Sequence, residues 1–103
     1  MAETRTDDQI TQDYKAMGDS VDVIQSIVTA KKNANGELMI MGDRTDDEKK
    51  ERVNINVGYI EYMKALTDWK GSEDWTDVDK AITDGKAYVG QYINNKKGSG
   101  KPW

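Results

Sequence analysis

The chain has 103 residues, of which 36% are hydrophobic and 33% charged, and its formal net charge is −4. This length and composition predict one compact domain, and the acidic balance argues against nucleic-acid binding. The chain contains neither cysteine nor histidine, which excludes disulfides and removes the commonest acid–base catalyst and metal ligand.

The first predicted helix begins after Thr6. Thr6 and Gln9 have the spacing of a capping box, in which the two side chains bond each other's backbone N–H groups. Acidic residues follow Thr6 in the first turn, where they favour the positive end of the helix dipole. Apolar residues then recur at steps of four and three, which predicts a helix over about residues 7 to 32. That apolar stripe consists of Ile10, Tyr14, Met17, Val21, Ile24 and Val28.

The connection to the second helix contains Asn35-Gly36, which is a strong turn signal. Residues 38 to 41 are apolar and fit either a short strand or a flap over the core. A single short strand has no evident partner in this chain, so we predict the flap.

The second predicted helix begins after Thr45, which forms a capping box with Glu48. It covers about residues 46 to 69, with Gly71 as its C-cap. Residues 53 to 57 alternate like a strand, but an apolar stripe that continues to Trp69 favours a helix. The members of that stripe are Ile55, Tyr59, Tyr62, Leu66 and Trp69. A second stripe of Val53, Val57, Ile60 and Met63 lies beside it, and we predict that this spare stripe binds a partner.

The third predicted helix begins after Thr76, whose match to a capping box with Asp79 is looser. Its periodicity covers about residues 77 to 95. Gly85 falls on the predicted buried side. It would either let another helix approach closely or weaken the helix locally, since glycine costs about 1 kcal/mol relative to alanine.

No motif in the chain predicts catalysis. Calcium loops starting at Asp43 or Asp74 would place Glu48 or Asp79 where such a loop requires glycine. The "GSGK" at residues 98 to 101 lacks the strand and helix that flank a phosphate loop. Groups of distinct chemical roles do not converge, so we predict no catalytic residue, no metal site and no cofactor.

Residues 96 to 103 form a separate segment. They include three lysines, no acid and the terminal Trp103. We predict a flexible basic tail after a single helical domain over residues 1 to 95. Tryptophan is enriched at interfaces, which favours partner binding by Lys101 and Trp103. In the alternative, Trp103 folds back on its own domain or stays free.

Two segments resemble a group of small phage-encoded proteins, mostly from marine phages. The matching residues are Asn56, Val57, Ile60, Glu61, Met63, Trp75, Thr76, Asp77, Ala81, Ile82, Gly85, Ala87 and Tyr88. Residues 13 to 22 are similar too, whereas residues 34 to 43 depart from the group. The motifs consist mostly of packing and capping residues, so the resemblance implies a fold and a phage setting without an activity.

Together these patterns predict an all-α fold, an antiparallel three-helix bundle with a flap between helices 1 and 2. The predicted function is a non-enzymatic structural or accessory protein of a phage particle. Its partners would be other phage structural proteins or copies of itself, with no nucleic acid and no membrane. The start "MAETRTDD" is unlike a signal peptide, so we expect the protein in the host cytoplasm and then in the virion. The alternative is an acidic phage protein that inhibits a host factor, acting as a nucleic-acid mimic.

Overall fold

A computed structural model describes residues 5–32, 34–36, 38, 40 and 44–96, with side chains through residue 90. These residues form three helices, which are α1 Asp7–Val28, α2 Asp46–Lys64 and α3 Thr76–Lys96. Each helix packs against the other two. This confirms the predicted all-α three-helix bundle. None of the helices in the described ranges is long and apolar enough to cross a membrane.

The capping boxes at the starts of α1 and α2 are confirmed. Thr6 Oγ1 accepts the Gln9 N–H at 3.1 Å, and Gln9 Oε1 accepts the Thr6 N–H at 2.8 Å. Thr45 and Glu48 make the same exchange at 3.1 and 3.0 Å. Hydrogen bonds from Thr45 hold the pKa of the Glu48 carboxyl below its usual range. Each box satisfies two backbone donors that a helix start otherwise leaves unpaired.

The prediction that Thr76 caps α3 is wrong. The first intrahelical hydrogen bond runs from Asp79 N to Trp75 O at 2.8 Å, so Thr76 is already the first helical residue. The capping carboxylate comes from Asp74, whose Oδ1 accepts the Thr76 N–H at 2.9 Å. Asp74 lies one residue before Trp75, and its carboxylate satisfies one of the backbone donors that a helix start leaves unpaired.

α1 ends at Val28, four residues before its predicted end. Ala30 adopts the left-handed conformation with φ of 52°. Lys31 N then donates to Ser26 O at 2.9 Å, and Ala30 N donates to Ile27 O at 3.1 Å. This pair of bonds closes the helix in the way that a glycine usually does. Alanine at that position is a helix former, so the sequence offers no stop signal there.

α2 ends at Lys64 instead of residue 69, and Gly71 is not its C-cap. The indole Nε1 of Trp69 donates to Met63 O at 2.9 Å and thereby occupies one of the last carbonyls of the helix. Gly71 has a φ of 91° in a later turn, where the Glu73 carboxylate accepts the Gly71 N–H at 2.9 Å. The chain after Lys64 is no longer helical but still packs on the core. The apolar periodicity of the sequence therefore continues to Trp69.

The core lies along the axis between the three helices. Its buried members are Met17, Val21, Ile24, Ile27, Val53, Val57, Ile60, Met63, Val78, Ala81 and Val89. Gly85 is buried among them, and a Cβ there would lie 2.5 Å from Val57 Cγ2 and 3.3 Å from Ile24 Cγ2. Of the two alternatives for Gly85, the structure favours close approach of a neighbouring helix.

The connection between α1 and α2 combines a turn with a flap. Lys32 and Leu38 form an isolated antiparallel bridge around Gly36, whose φ of 82° matches the predicted turn. Ile40 is half-buried against the core, as the flap prediction requires. Met39 and Met41, the other apolar residues of the predicted flap, lie outside the described residues.

Candidate functional site

Arg5 stands one residue before the N-cap of α1 and joins that helix to the segment after α2. Its backbone N–H and its Nε both donate to Asp68 Oδ2 at 3.0 Å, and Nη2 donates to Oδ1 of the same carboxylate. Its Nη1 donates to Asp13 Oδ2 at 2.7 Å. The Arg5 and Asp68 side chains are only 15% and 19% exposed, so water screens this ion pair weakly.

Three aromatic rings pack together, and one of them contacts the Arg5 guanidinium. Trp69, Trp75 and Tyr14 meet edge to face in all three pairs, with ring centroids 5.1 to 6.3 Å apart. Arg5 Cζ lies 4.3 Å from the centroid of the Trp69 ring, within the range of a cation–π contact. We call Arg5, Asp13, Tyr14, Asp68, Trp69 and Trp75 the arginine–tryptophan cluster.

Tyr14 extends the cluster to the start of α3. Its hydroxyl accepts the Asp74 N–H at 3.1 Å and donates to Asp74 O at 2.9 Å. The Asp74 side chain in turn caps α3 through Thr76. The cluster thus ties the first two turns of α1 to the whole connection between α2 and α3.

The pKa shifts in the cluster are those expected of groups with a structural role. The Arg5 guanidinium holds the pKa of the Asp68 carboxyl well below its usual range. Burial, followed by the charge of Asp13, raises the pKa of the neighbouring Tyr59 phenol. Both shifts move the pKa further from neutral pH, so neither group is suited to acid–base catalysis there. Within the described ranges, no group of three or more carboxylates is placed to hold a metal ion.

We expect the Asp68→Asn variant to be less stable than the parent protein at neutral pH, by a gap that closes on acidification. The folded-state pKa of Asp68 is lowered, whereas an unfolded aspartate has a pKa of about 3.9. The stability from this carboxylate is therefore fully present above about pH 4 and is lost as pH falls through the folded pKa. Urea unfolding between pH 7 and pH 2 measures the gap.

The control for this prediction is Asp19→Asn, which changes an exposed aspartate of α1. Its stability should stay within about 0.5 kcal/mol of the parent at neutral pH. A stability gap for Asp68→Asn that is the same at every pH would contradict the assignment of the ion pair.

A groove of about 390 Å³ lies beside the cluster, between α1 and the start of α3. Four aspartates line it, and they are Asp19, Asp22, Asp74 and Asp77. Lys15 is the one cation in its lining. The groove is thus a concentration of negative charge that the separate acidic segments of the sequence do not reveal.

The outer side of α2 carries a second candidate surface. Ile55 is 46% exposed and Tyr62 is 67% exposed. They lie seven residues apart, or about two helical turns, and therefore on one face. Gly58 lies between them on that face, and nothing stands within 4 Å of the position that its Cβ would occupy. We call Ile55, Gly58 and Tyr62 the α2 outer face.

The prediction that four residues of α2 bind a partner is wrong. Val53, Val57, Ile60 and Met63 are 0%, 3%, 0% and 8% exposed, respectively, and belong to the core. They are buried because α1 and α3 both pack on that side of α2. The exposed apolar residues of α2 are instead Ile55 and Tyr62, whereas Tyr59, Leu66 and Trp69 of the same predicted stripe pack against the core. Lys101 and Trp103, the other predicted partner-binding residues, lie outside the described residues.

Sequence reasoning missed the arginine–tryptophan cluster and the groove. The Arg5–Asp68 pair joins residues 63 positions apart, and no local pattern links them. One usable signal was the set of three tryptophans and five tyrosines without phenylalanine, because such rings are suited to half-buried sites where their polar atoms find partners.

No protein-family model, curated protein or solved structure matches this chain.

Proposed function

We propose that the protein is a non-enzymatic structural or accessory component of a phage particle that acts through protein–protein contacts. The observation that carries this proposal is the α2 outer face, where Ile55 and Tyr62 are exposed on one side of a helix. The phage setting comes from the sequence resemblance. The partners would be other phage structural proteins or copies of the same chain, met in the host cytoplasm during assembly.

The α2 outer face is suited to contact with another protein. Tyrosine supplies a large ring with a polar handle and is enriched at interfaces. Gly58 leaves space between the two larger side chains, so a partner backbone can approach the helix closely. Truncating or charging one central aromatic residue in such a patch often removes much of the binding energy.

Mass spectrometry of purified phage particles tests the proposal directly. We expect the chain at a fixed copy number relative to the major capsid protein. Its absence from particles would overturn the structural role.

We further expect the double variant Ile55→Glu/Tyr62→Glu to reduce incorporation into particles by about tenfold or more, since one buried hot spot is worth about 2 kcal/mol. Both residues are exposed, so the free energy of unfolding should change by no more than about 1 kcal/mol for the pair. Particle mass spectrometry and urea unfolding measure the two effects. The matched control is Thr83→Glu/Ala87→Glu, which adds the same two charges to exposed positions of α3 and should leave incorporation unchanged. Equal incorporation of the double variant and the control would exclude this face as the contact.

The groove between α1 and α3 favours a second candidate function. Its four aspartates would let an acidic protein bind and inhibit a host factor whose natural ligand is nucleic acid. A protein of this kind should be absent from particles, be made early in infection and bind a host protein with an affinity that falls steeply with salt. Binding that ignores salt would exclude the mimic.

A further inference from the structure

The groove between α1 and α3 has an apolar floor and an acidic rim. Val21 and Val78 contribute to the floor, and the ring of Tyr14 borders it with 36% of its surface exposed. Asp19, Asp22 and Asp77 on the rim form no ion pair within the described residues. A ligand that fits this groove combines several positive charges with an apolar or aromatic group.

This chain contains such a ligand in the segment that follows α3. Residues 97 to 103 read "KGSGKPW" and include Lys97, Lys101 and Trp103 with no acidic residue. The positive lysines complement the negative rim, and the indole ring is suited to packing on the apolar floor. Complementary potentials of this kind raise both the rate and the specificity of association.

The segment is poorly placed to fill the groove of its own chain. Val78 and Lys96 both belong to α3, and the 18 residues between them correspond to about 27 Å along the helix axis. The five residues from Lys96 to Lys101 span at most about 18 Å when fully extended. The Cα of Trp103 lies at most about 25 Å from that of Lys96, so the indole could meet the floor only with the whole segment extended, and Lys97 would remain beside Lys96.

We propose that residues 97 to 103 of one copy bind in the α1/α3 groove of the next copy, so that copies join head to tail. This inference rests on the proposed role in protein–protein contact and names a second copy of the chain as a partner. Because the segment and the groove are different surfaces, the contact is heterologous, and repeating it produces a ring or an open filament. The contact uses neither Ile55 nor Tyr62 and therefore leaves the α2 outer face free for another particle protein.

Charge reversal with the full chain tests the head-to-tail contact. A groove variant, Asp19→Lys/Asp22→Lys, changes two exposed positions in the middle of α1. A segment variant, Lys97→Glu/Lys101→Glu, reverses the ligand. The combined variant carries all four changes and keeps the net charge of −4, because the groove changes add four charges and the segment changes remove four. It therefore serves as the matched control for net charge.

Sedimentation velocity at low salt, over a range of protein concentrations, supplies the readout. We expect the parent protein to self-associate, and each single-surface variant to associate about tenfold or more weakly, since like charges now face each other. An equimolar mixture of the two variants should regain the larger assemblies, since an unchanged segment meets an unchanged groove at one junction and the new glutamates meet the new lysines at the other. The combined variant should regain the larger assemblies of the parent, and added salt should weaken all of these contacts.

Three results would overturn the head-to-tail inference. These are a parent protein that stays monomeric, variants that associate as well as the parent, or a mixture that associates no better than either variant alone. If association instead disappears only in Ile55→Glu/Tyr62→Glu, the groove is not the contact, while the proposed contact role stands. Absence of the chain from purified particles would overturn the structural role and leave the charge-reversal results to decide the contact alone.

Discussion

Replacing Gly85 by alanine should destabilise the protein by about 1–2 kcal/mol, although alanine is the better helix former. The added Cβ would lie 2.5 Å from Val57 Cγ2 and 3.2 Å from Val53 Cγ1, and both neighbours are fully buried in α2. Valine in a helix has one strongly preferred rotamer, so these methyl groups cannot turn away. Overpacking of this kind costs about 1–3 kcal/mol, which outweighs a propensity gain of about 1 kcal/mol. Urea unfolding followed by circular dichroism measures the change.

The matched control is Gly18→Ala in α1, where nothing lies within 4 Å of the added Cβ. This variant should become more stable by about 0.5–1 kcal/mol. Adding Val57→Ala to Gly85→Ala should cost less than the sum of the two single changes, because the smaller residue removes the clash. A Gly85→Ala variant as stable as Gly18→Ala would show that α2 and α3 are not packed this closely.

Replacing Trp69 by alanine should cost about 3 kcal/mol of stability, the lower end of the range for a tryptophan truncation because the residue is half-buried. The change removes the ring that packs on Tyr14, Trp75 and Arg5. It also removes the hydrogen bond from the indole to Met63 O. Circular dichroism should follow the unfolding, since tryptophan fluorescence changes with the substitution itself.

Two further variants separate the contributions of Trp69. Trp69→Phe keeps a ring but loses the indole N–H, and it should cost about 1 kcal/mol through that hydrogen bond. Tyr62→Ala removes an aromatic side chain that is 67% exposed, and its effect should stay within about 0.5 kcal/mol. Equal costs for Trp69→Phe and Trp69→Ala would mean that the hydrogen bond, and not the packing of the ring, carries the effect.

The starts of the helices were more predictable from sequence than their ends. The box at Thr6 and Gln9 is local, because the residues that bond each other lie three positions apart. The end of α2 depends on Trp69, which reaches back to Met63 only after the chain has turned toward the core. At the end of α1, Ala30 takes a conformation that usually requires glycine. Neither helix end is visible as a local pattern in the sequence.

The candidate surfaces were the least predictable part. Both apolar stripes of α2 have helical spacing, and periodicity alone does not say which of them faces the neighbouring helices. The groove aspartates come from α1 and from the start of α3, so their proximity requires the packed bundle. The basic segment at residues 97 to 103 could be recognised from composition, but the groove that matches it could not.

The sequence by itself determined the number of helices, the caps at Thr6 and Thr45, the turn at Asn35-Gly36 and the place of Gly85 in the core. Each follows from interactions between residues a few positions apart, or from the period at which apolar side chains repeat. Only the tertiary structure decided where α1 and α2 end, which apolar residues of α2 are exposed and which side chains form the arginine–tryptophan cluster. Those features depend on contacts between distant residues, as between Arg5 and Asp68, which exist only once the helices have packed.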